Sequence, residues 1–233
     1  LILLGDAVQH EPPGQLEEMD RSLMMIDVIF SLKIKYPGQV FFSVGNHDSF
    51  DHEVMKRGIP QGLLWDKHVR ATRGEKYREQ LQLFYQLSPL AVLTPEFIAC
   101  HAGPARRKIS RQTLIDAHEF PDIVHDLTWN RIKTPAFPAG YTRSDVRQFR
   151  KGLEVDSEAP FIVGHYPLTK DDTLWLNACQ INQHHILISA RPDRIAIFTR
   201  IDGKLVPQIY PAEPLVDWLN RQPATDMQST EVC

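Results

Sequence analysis

Four apolar runs in this chain each stop on a small residue or a cysteine and hand over at once to a residue able to bind a metal or move a proton. "LILLGD" ends on Gly5 and Asp6, "FFSVGNHD" on Gly45, Asn46, His47 and Asp48, "FIACH" on His101, and "FIVGH" on Gly164 and His165. Short continuous apolar runs of this kind read as fully buried strands of a parallel type. In an α/β sheet, sites form in the crevice beyond the carboxyl ends of the strands. The pattern therefore predicts strands that deliver ligands to one common edge. Singly, each exit is weak, since Asp after Gly is normally a turn residue or helix cap and Asn and Asp favour turns. Four such exits in one chain favour a metal centre. One carboxylate, one amide oxygen and two imidazoles suit a divalent ion such as manganese, iron or zinc.

The intervening segments fill in the fold. Residues 16–35 carry apolar side chains near helical spacing, at Leu16, Met19, Leu23, Ile26, Ile29 or Phe30, and Ile34, and Pro37-Gly38 stops the helix. With the flanking runs this gives strand, helix, strand, a βαβ unit. Residues 51–74 read as irregular with short helix, and 75–87 as a helix. "LAVLTPEFIAC" reads as a hairpin broken at Thr94-Pro95, and "SDVRQFRKGL" as a helix before the strand "PFIVG". Asp202-Gly203, between two alternating runs, signals a second hairpin. The expectation is a single domain over residues 1–219, with a polar, disordered tail over 220–233.

Bulk properties exclude some functions. The 233 residues are 42% hydrophobic and 24% charged, enough for one sizeable core. A net charge of −3 offers no basic field for nucleic acid. No apolar run approaches the roughly 20 residues of a membrane span. Three scattered cysteines without a C-x-x-C pair fit a reducing compartment, so a cytoplasmic location is expected. The chain opens on Leu1, already inside a strand-like run, which predicts residues upstream.

The blocks "GD", "GNHD", "HAG" and "GH", in this order, resemble the calcineurin-like metallophosphoesterase superfamily. Within it the chain is most similar to the phosphoprotein phosphatase branch, which acts on phosphoserine and phosphothreonine. "FYQLSPLAVLTPEFIACHAGP", "DLTWNR", "SDVRQFRKGLEVDSEAPFIVGHYP" and "HHILISARPDRIAIF" each resemble a block of that branch, so the likeness runs from residue 1 to about 210. The resemblance implies an α/β fold, a β-sandwich flanked by helices, whose first strand is missing from this chain. It implies two divalent metal ions and hydrolysis by direct attack of a metal-bound hydroxide on a phosphoester, either a phosphoprotein or a small phosphorylated substrate. Asp6 matches the carboxylate that bridges the metals. Asn46, His101 and His165 match the other ligands of one metal. His47 matches the histidine that protonates the leaving oxygen, and Asp48 a residue with a local supporting role.

Two departures qualify the match. The superfamily holds its other metal with an Asp-x-His pair ahead of "GD", where this chain has not yet begun. Asp66-His68 and Asp116-His118 have the right spelling but follow no strand, and read as surface residues. The branch also continues "GD" into Asp-Arg-Gly, whose arginine grips phosphate, and here the text is "GDAVQHEPPG". Arg107, Arg131 and Arg191 are the candidates to replace it. His184 and His185 are adjacent, so in a strand at most one of them could face the site. A hydrolase of small phosphoesters or dinucleoside polyphosphates, and an inactive fold used for binding, remain alternatives.

Overall fold

The computed structural model describes residues 1–8, 19–189, 191 and 193–213. The expected tail over 220–233 and the first residues of the expected 16–35 helix lie outside them. The described chain forms two compact units, one of residues 1–166 with 176–186, the other of residues 167–175 with the segment from 187 onward.

The first unit opens with the predicted βαβ motif. Strand β1 (Ile2–Leu3) pairs in parallel with β2 (Phe41–Phe42), and helix α1 (Asp20–Lys35) crosses between them. Leu23, Ile26 and Ile29 recur at helical spacing and are the buried stripe of α1. The amide of Tyr36 closes the last turn on the Leu32 carbonyl. Helices α2 (Gln61–Arg73) and α3 (Glu75–Leu87) follow. The full helix α2 corrects the irregular reading of residues 51–74. Its inward face carries Gln61, Gly62 and Asp66 beside Trp65 and Val69, so the apolar period that would announce it is diluted. Those side chains are anchored locally, Gln61 donating to the Val8 carbonyl and Asp66 accepting from Arg70 and Arg78. Asp66 is thus a buried ion-pair centre and not a surface residue.

Strands β3 (Ala91–Leu93) and β4 (Ile98–Cys100) form the expected antiparallel hairpin. After helices α4 (Arg111–Ile115), α5 (Pro121–Trp129) and α6 (Arg143–Gly152), strand β5 (Phe161–Val163) pairs in parallel with β4. Helix α6 starts on a capping box in which the Thr142 amide and hydroxyl both donate to Asp145 at 2.7 Å. In the second unit lie a short strand β6 (Leu174–Trp175) and the hairpin discussed below. Strand β7 (His184–Leu187) adds in parallel to β5. The result is the α/β architecture expected, a mixed sheet with helices. Phe161, Val163, Ile98, Leu127, Ile123, Val146 and Phe149 are the centre of its core.

Three bonds fasten the β1–β2 pair to this sheet. Ser43 Oγ donates to the Leu90 carbonyl at 3.2 Å and the Val44 amide to Pro89, while His101 reaches the Leu4 carbonyl at 2.6 Å. The carboxyl ends of β1, β2, β4 and β5 therefore converge.

In the second unit, β8 (Arg194–Ile201) and β9 (Lys204–Pro211) pair antiparallel across Asp202-Gly203. Both turn residues have positive φ, 48° and 77°, as a tight two-residue hairpin turn requires. No helix of the described residues is long and apolar enough to cross a membrane.

Candidate metal centre

The exits from β1 and β2 meet back to back. A Cβ on Gly5 would lie 2.7 Å from the Ser43 carbonyl oxygen, and one on Gly45 would lie 2.6 Å from the Asp6 amide and 2.8 Å from His101 Cε1. Only glycine at both positions lets the two chains approach this closely. The next residue, Asp6, adopts the left-handed conformation with φ 57°, as does His165 with φ 68°. For non-glycine residues this costs roughly 1–3 kcal/mol each, and such strain gathers at functional sites.

Asp48 ties the two exits together. One carboxylate oxygen accepts from the Asp6 amide at 2.7 Å and the Gly45 amide at 2.8 Å, and the other from the Val8 amide at 3.2 Å. Burial, then the neighbouring Asp6 charge, push its pKa up to about 7 in spite of these donors. Its contacts join the two exits through main-chain amides.

Asp6, Asn46, His101 and His165 come together as predicted. His101 Nε2 lies 3.1 Å from Asn46 Oδ1, 3.1 Å from His165 Nδ1 and 3.3 Å from Asp6 Oδ2. The Leu4 carbonyl can only accept, so it fixes the proton of a neutral His101 on Nδ1 and leaves a lone pair on Nε2. In that tautomer, and with His165 carrying its proton on Nε2, His101 Nε2, His165 Nδ1, Asn46 Oδ1 and Asp6 Oδ2 turn four lone pairs toward one another. Such a set calls for a cation. Bonds of about 2.0–2.2 Å to a divalent ion place neighbouring ligand atoms about 2.8–3.1 Å apart at right angles and about 3.3–3.6 Å apart in a tetrahedron, a range that brackets these separations. Asp6, His101 and His165 are also the one group of three or more His, Cys, Asp or Glu residues among the described residues whose ligand atoms all fall within 4.8 Å.

The electrostatics agree. Burial opposes ionisation of Asp6, but His101 and His47 outweigh it and hold the carboxyl well below its ordinary range. Burial likewise opposes charge on His101, yet Asp6 and the Leu4 carbonyl hold its pKa above the usual value. His165 is pushed down to about 3 by burial and by His101, and His47 to about 4, chiefly by burial. His165 and His47 are thereby held neutral, with a lone pair free as a metal ligand requires, whereas the Asp6 carboxylate favours charge on His101, a charge that a bound cation would replace. Asn46 Nδ2, His47 Nδ1 and His165 Nε2 are buried without a hydrogen-bond partner.

Other predicted residues fall less uniformly. Arg107 pairs with Asp122 at 3.2 Å and covers the Phe120 ring. Arg191 belongs to the second unit, where it pairs with Asp193 at 3.1 Å. Arg131 lies near His165 and acts on its charge. Neither Asp-x-His pair joins the cluster, since His68 faces Asp20 at 3.3 Å and His118 reaches the Ser88 carbonyl. His184 and His185 stay outside it as well.

Sequence reading missed Lys56 and Gln61. Lys56 is close enough for its charge and that of Asp6 to act on each other, and burial lowers its pKa. Gln61 holds Val8, just beyond Asp6, through a 3.1 Å bond. Neither follows a strand, so no local pattern marks them. Trp129 lies with its ring centre 6.2 Å from His47 and 6.5 Å from His165, and forms one wall of the centre.

Comparisons with known proteins bear on the fold and the family. The chain superposes on a protein serine/threonine phosphatase from Saccharomyces cerevisiae with similarity to human phosphatase PP5, with a TM-score of 0.65 at 13% identity, covering 91% of this chain and 70% of that one. At that identity the likeness speaks for the fold. No curated protein matches the sequence. The profile described as calcineurin-like phosphoesterase matches residues 1–190, a span that includes every ligand of the cluster, and the chain belongs to that family.

Proposed function

We propose that this phosphoesterase hydrolyses phosphomonoesters by direct attack of an activated water, with phosphoserine or phosphothreonine in proteins as its substrate class. The observation that carries the reading is the convergence of Asn46 Oδ1, His165 Nδ1 and Asp6 Oδ2 within 3.3 Å of His101 Nε2. Asp6, Asn46, His101 and His165 would hold one divalent ion, and Asp6 would share its carboxylate with a second. When bound, such ions neutralise phosphate oxygens and make water acidic enough to ionise near neutral pH.

The protein's own groups do the rest. His101 keeps its lone pair inward because its Nδ1 proton is fixed on Leu4. Asp48 holds the Asp6 and Gly45 turns in register, so the ligands need no rearrangement. His47, next in sequence to a ligand, presents a buried, unpartnered Nδ1 and stands where a leaving alkoxide would take a proton. Trp129 walls the site beside both His47 and His165 and limits access of bulk water. No serine or cysteine nucleophile is needed.

The test is turnover of a phosphoserine peptide, p-nitrophenyl phosphate and a dinucleoside polyphosphate, each with added Mn²⁺, Fe²⁺ or Zn²⁺ and with chelator. Metal-dependent release of phosphate, fastest from the peptide, is expected, with no phosphoenzyme trapped on acid quench. Preference for the dinucleoside polyphosphate moves the substrate to small molecules. Metal binding without turnover of any substrate overturns the hydrolase reading.

A further inference from the structure

We propose that Gln61 is a positioning residue for His47: its side-chain oxygen accepts the Nδ1 proton of the imidazole and so leaves Nε2 as the nitrogen that meets the leaving oxygen. The inference rests on the hydrolase reading. Two orphaned atoms carry it. Gln61 Oε1 and His47 Nδ1 are both buried with no hydrogen-bond partner among the described residues, and the two residues are only 2% and 8% exposed. A buried acceptor and a buried ring nitrogen left open are each costly alone and complement one another. The two side chains are also close enough for Gln61 to favour a proton on His47, which only its oxygen can do. Catalytic hydrogen bonds are often loose at rest and tighten when substrate binds.

The orientation of Gln61 is fixed from elsewhere. The Val8 carbonyl can only accept, so it takes the amide end of the side chain at 3.1 Å and turns the carbonyl end away. The Gln61 main-chain amide donates to Ile59 at 2.9 Å, at the first turn of α2. Gly62 lets that turn press on the loop that follows His47, since a Cβ there would run into the Asp51 carbonyl. The Gly62 amide donates to Val54 of the same loop at 3.2 Å. On the opposite side the His47 amide donates to Asp6 at 3.0 Å, so the main chain of His47 is held and only its ring remains to be set. In the step this serves, the ester bond breaks with its electron pair on the leaving oxygen, which takes the Nε2 proton of the doubly protonated ring. The ring is left neutral, with its other proton on Nδ1 and directed at Gln61.

The experiment compares a phosphoserine peptide with p-nitrophenyl phosphate, both with added Mn²⁺, because a leaving alkoxide needs a proton far more than a nitrophenolate does. Gln61→Leu should lower kcat on the peptide about tenfold more than on p-nitrophenyl phosphate, with KM and metal content little changed. Gln61→Glu keeps an acceptor but loses the donor to Val8, so it should hold the preference between the two substrates near the wild-type value. In a His47→Asn background Gln61→Leu should cost nothing further on the peptide. If Gln61→Leu and Gln61→Glu instead slow both substrates by equal factors and lower the melting temperature together, Gln61 is only the fastener of Val8 and the proposal fails. It fails too if Gln61→Leu costs as much without His47 as with it. Imidazole nitrogen NMR of the metal-free protein gives a readout apart from turnover: the His47 proton is expected on Nδ1 in the wild type and divided between both nitrogens in Gln61→Leu, and identical spectra overturn the contact. A wild-type protein that hydrolyses neither substrate sinks the hydrolase reading, while the spectra still decide whether Gln61 holds the ring.

Discussion

His101 and His184 are both almost wholly buried, both follow or open a strand of the same sheet, and both bond a main-chain carbonyl through Nδ1. Their other nitrogens differ. His184 Nε2 accepts from the Tyr141 hydroxyl at 2.9 Å, and its ring packs against Phe161, so every polar atom is matched. His101 Nε2 instead faces Asn46 Oδ1, Asp6 Oδ2 and His165 Nδ1, two oxygens that can only accept and a ring nitrogen that nothing else fixes. Burial alone therefore does not distinguish a packed histidine from a ligand. The difference lies in whether the hydrogen-bond inventory closes. The backbone does not mark this division, since Asp6 and His165 are left-handed in the open cluster and so is Gln183, directly before His184.

The sharpest way to break this contrast is to remove one histidine from each cluster. His101→Gln should lower metal affinity and turnover by more than about 100-fold, with the melting temperature of the metal-free protein unchanged or raised. Metal content by elemental analysis and thermal unfolding read both arms, and retained metal would erase the distinction. His184→Leu should do the reverse. It leaves the Tyr141 hydroxyl and the Phe161 carbonyl unpaired and destabilises by about 2–4 kcal/mol in urea unfolding, with metal affinity nearly intact. Gly45→Ala tests whether geometry and ligation are separable. The new methyl meets both Asp6 and His101, so a loss of about 1–3 kcal/mol should come together with weaker metal binding. Stability lost with full metal affinity would show that the close approach serves only packing.

The smallest effect is in pH dependence. The His184 pKa is pushed down to about 3 by burial, with Arg150 and His185 also opposing charge. Tyr141 and the Phe161 carbonyl complete its surroundings. An unfolded chain takes up this proton as pH falls through about 6.5, while the folded one refuses it. Its stabilisation is therefore full above that value and shrinks toward pH 3, by at most about 1.4 kcal/mol per pH unit. His184→Gln removes this share, so the stability gap between the two proteins should narrow on acidification. Parallel profiles between pH 7 and 4 would contradict the assignment.

The sequence made the ligands readable because each stands directly beyond an apolar run, so strand and chemistry are written side by side. The βαβ opening, both hairpins and helix α3 were readable for similar reasons. Helix α2 was hidden because Gln61 and Asp66 take inward positions that apolar residues normally fill. The surroundings of the three candidate arginines were out of reach, because Arg131 meets Phe137 and Tyr166 and the other two meet carboxylates only after folding. Lys56 and Gln61 were silent for the same reason.

The left-handed backbone at Asp6 and His165 bears on how such a chain would change over generations. Glycine or asparagine at either position would relax the main chain, so substitutions that raise stability lie one step away at two of the four ligands. A chain no longer selected for metal chemistry would be expected to drift into them. Aspartate and histidine at these positions cost the fold stability that glycine or asparagine would return, so the centre is a place where chemistry and stability pull in opposite directions.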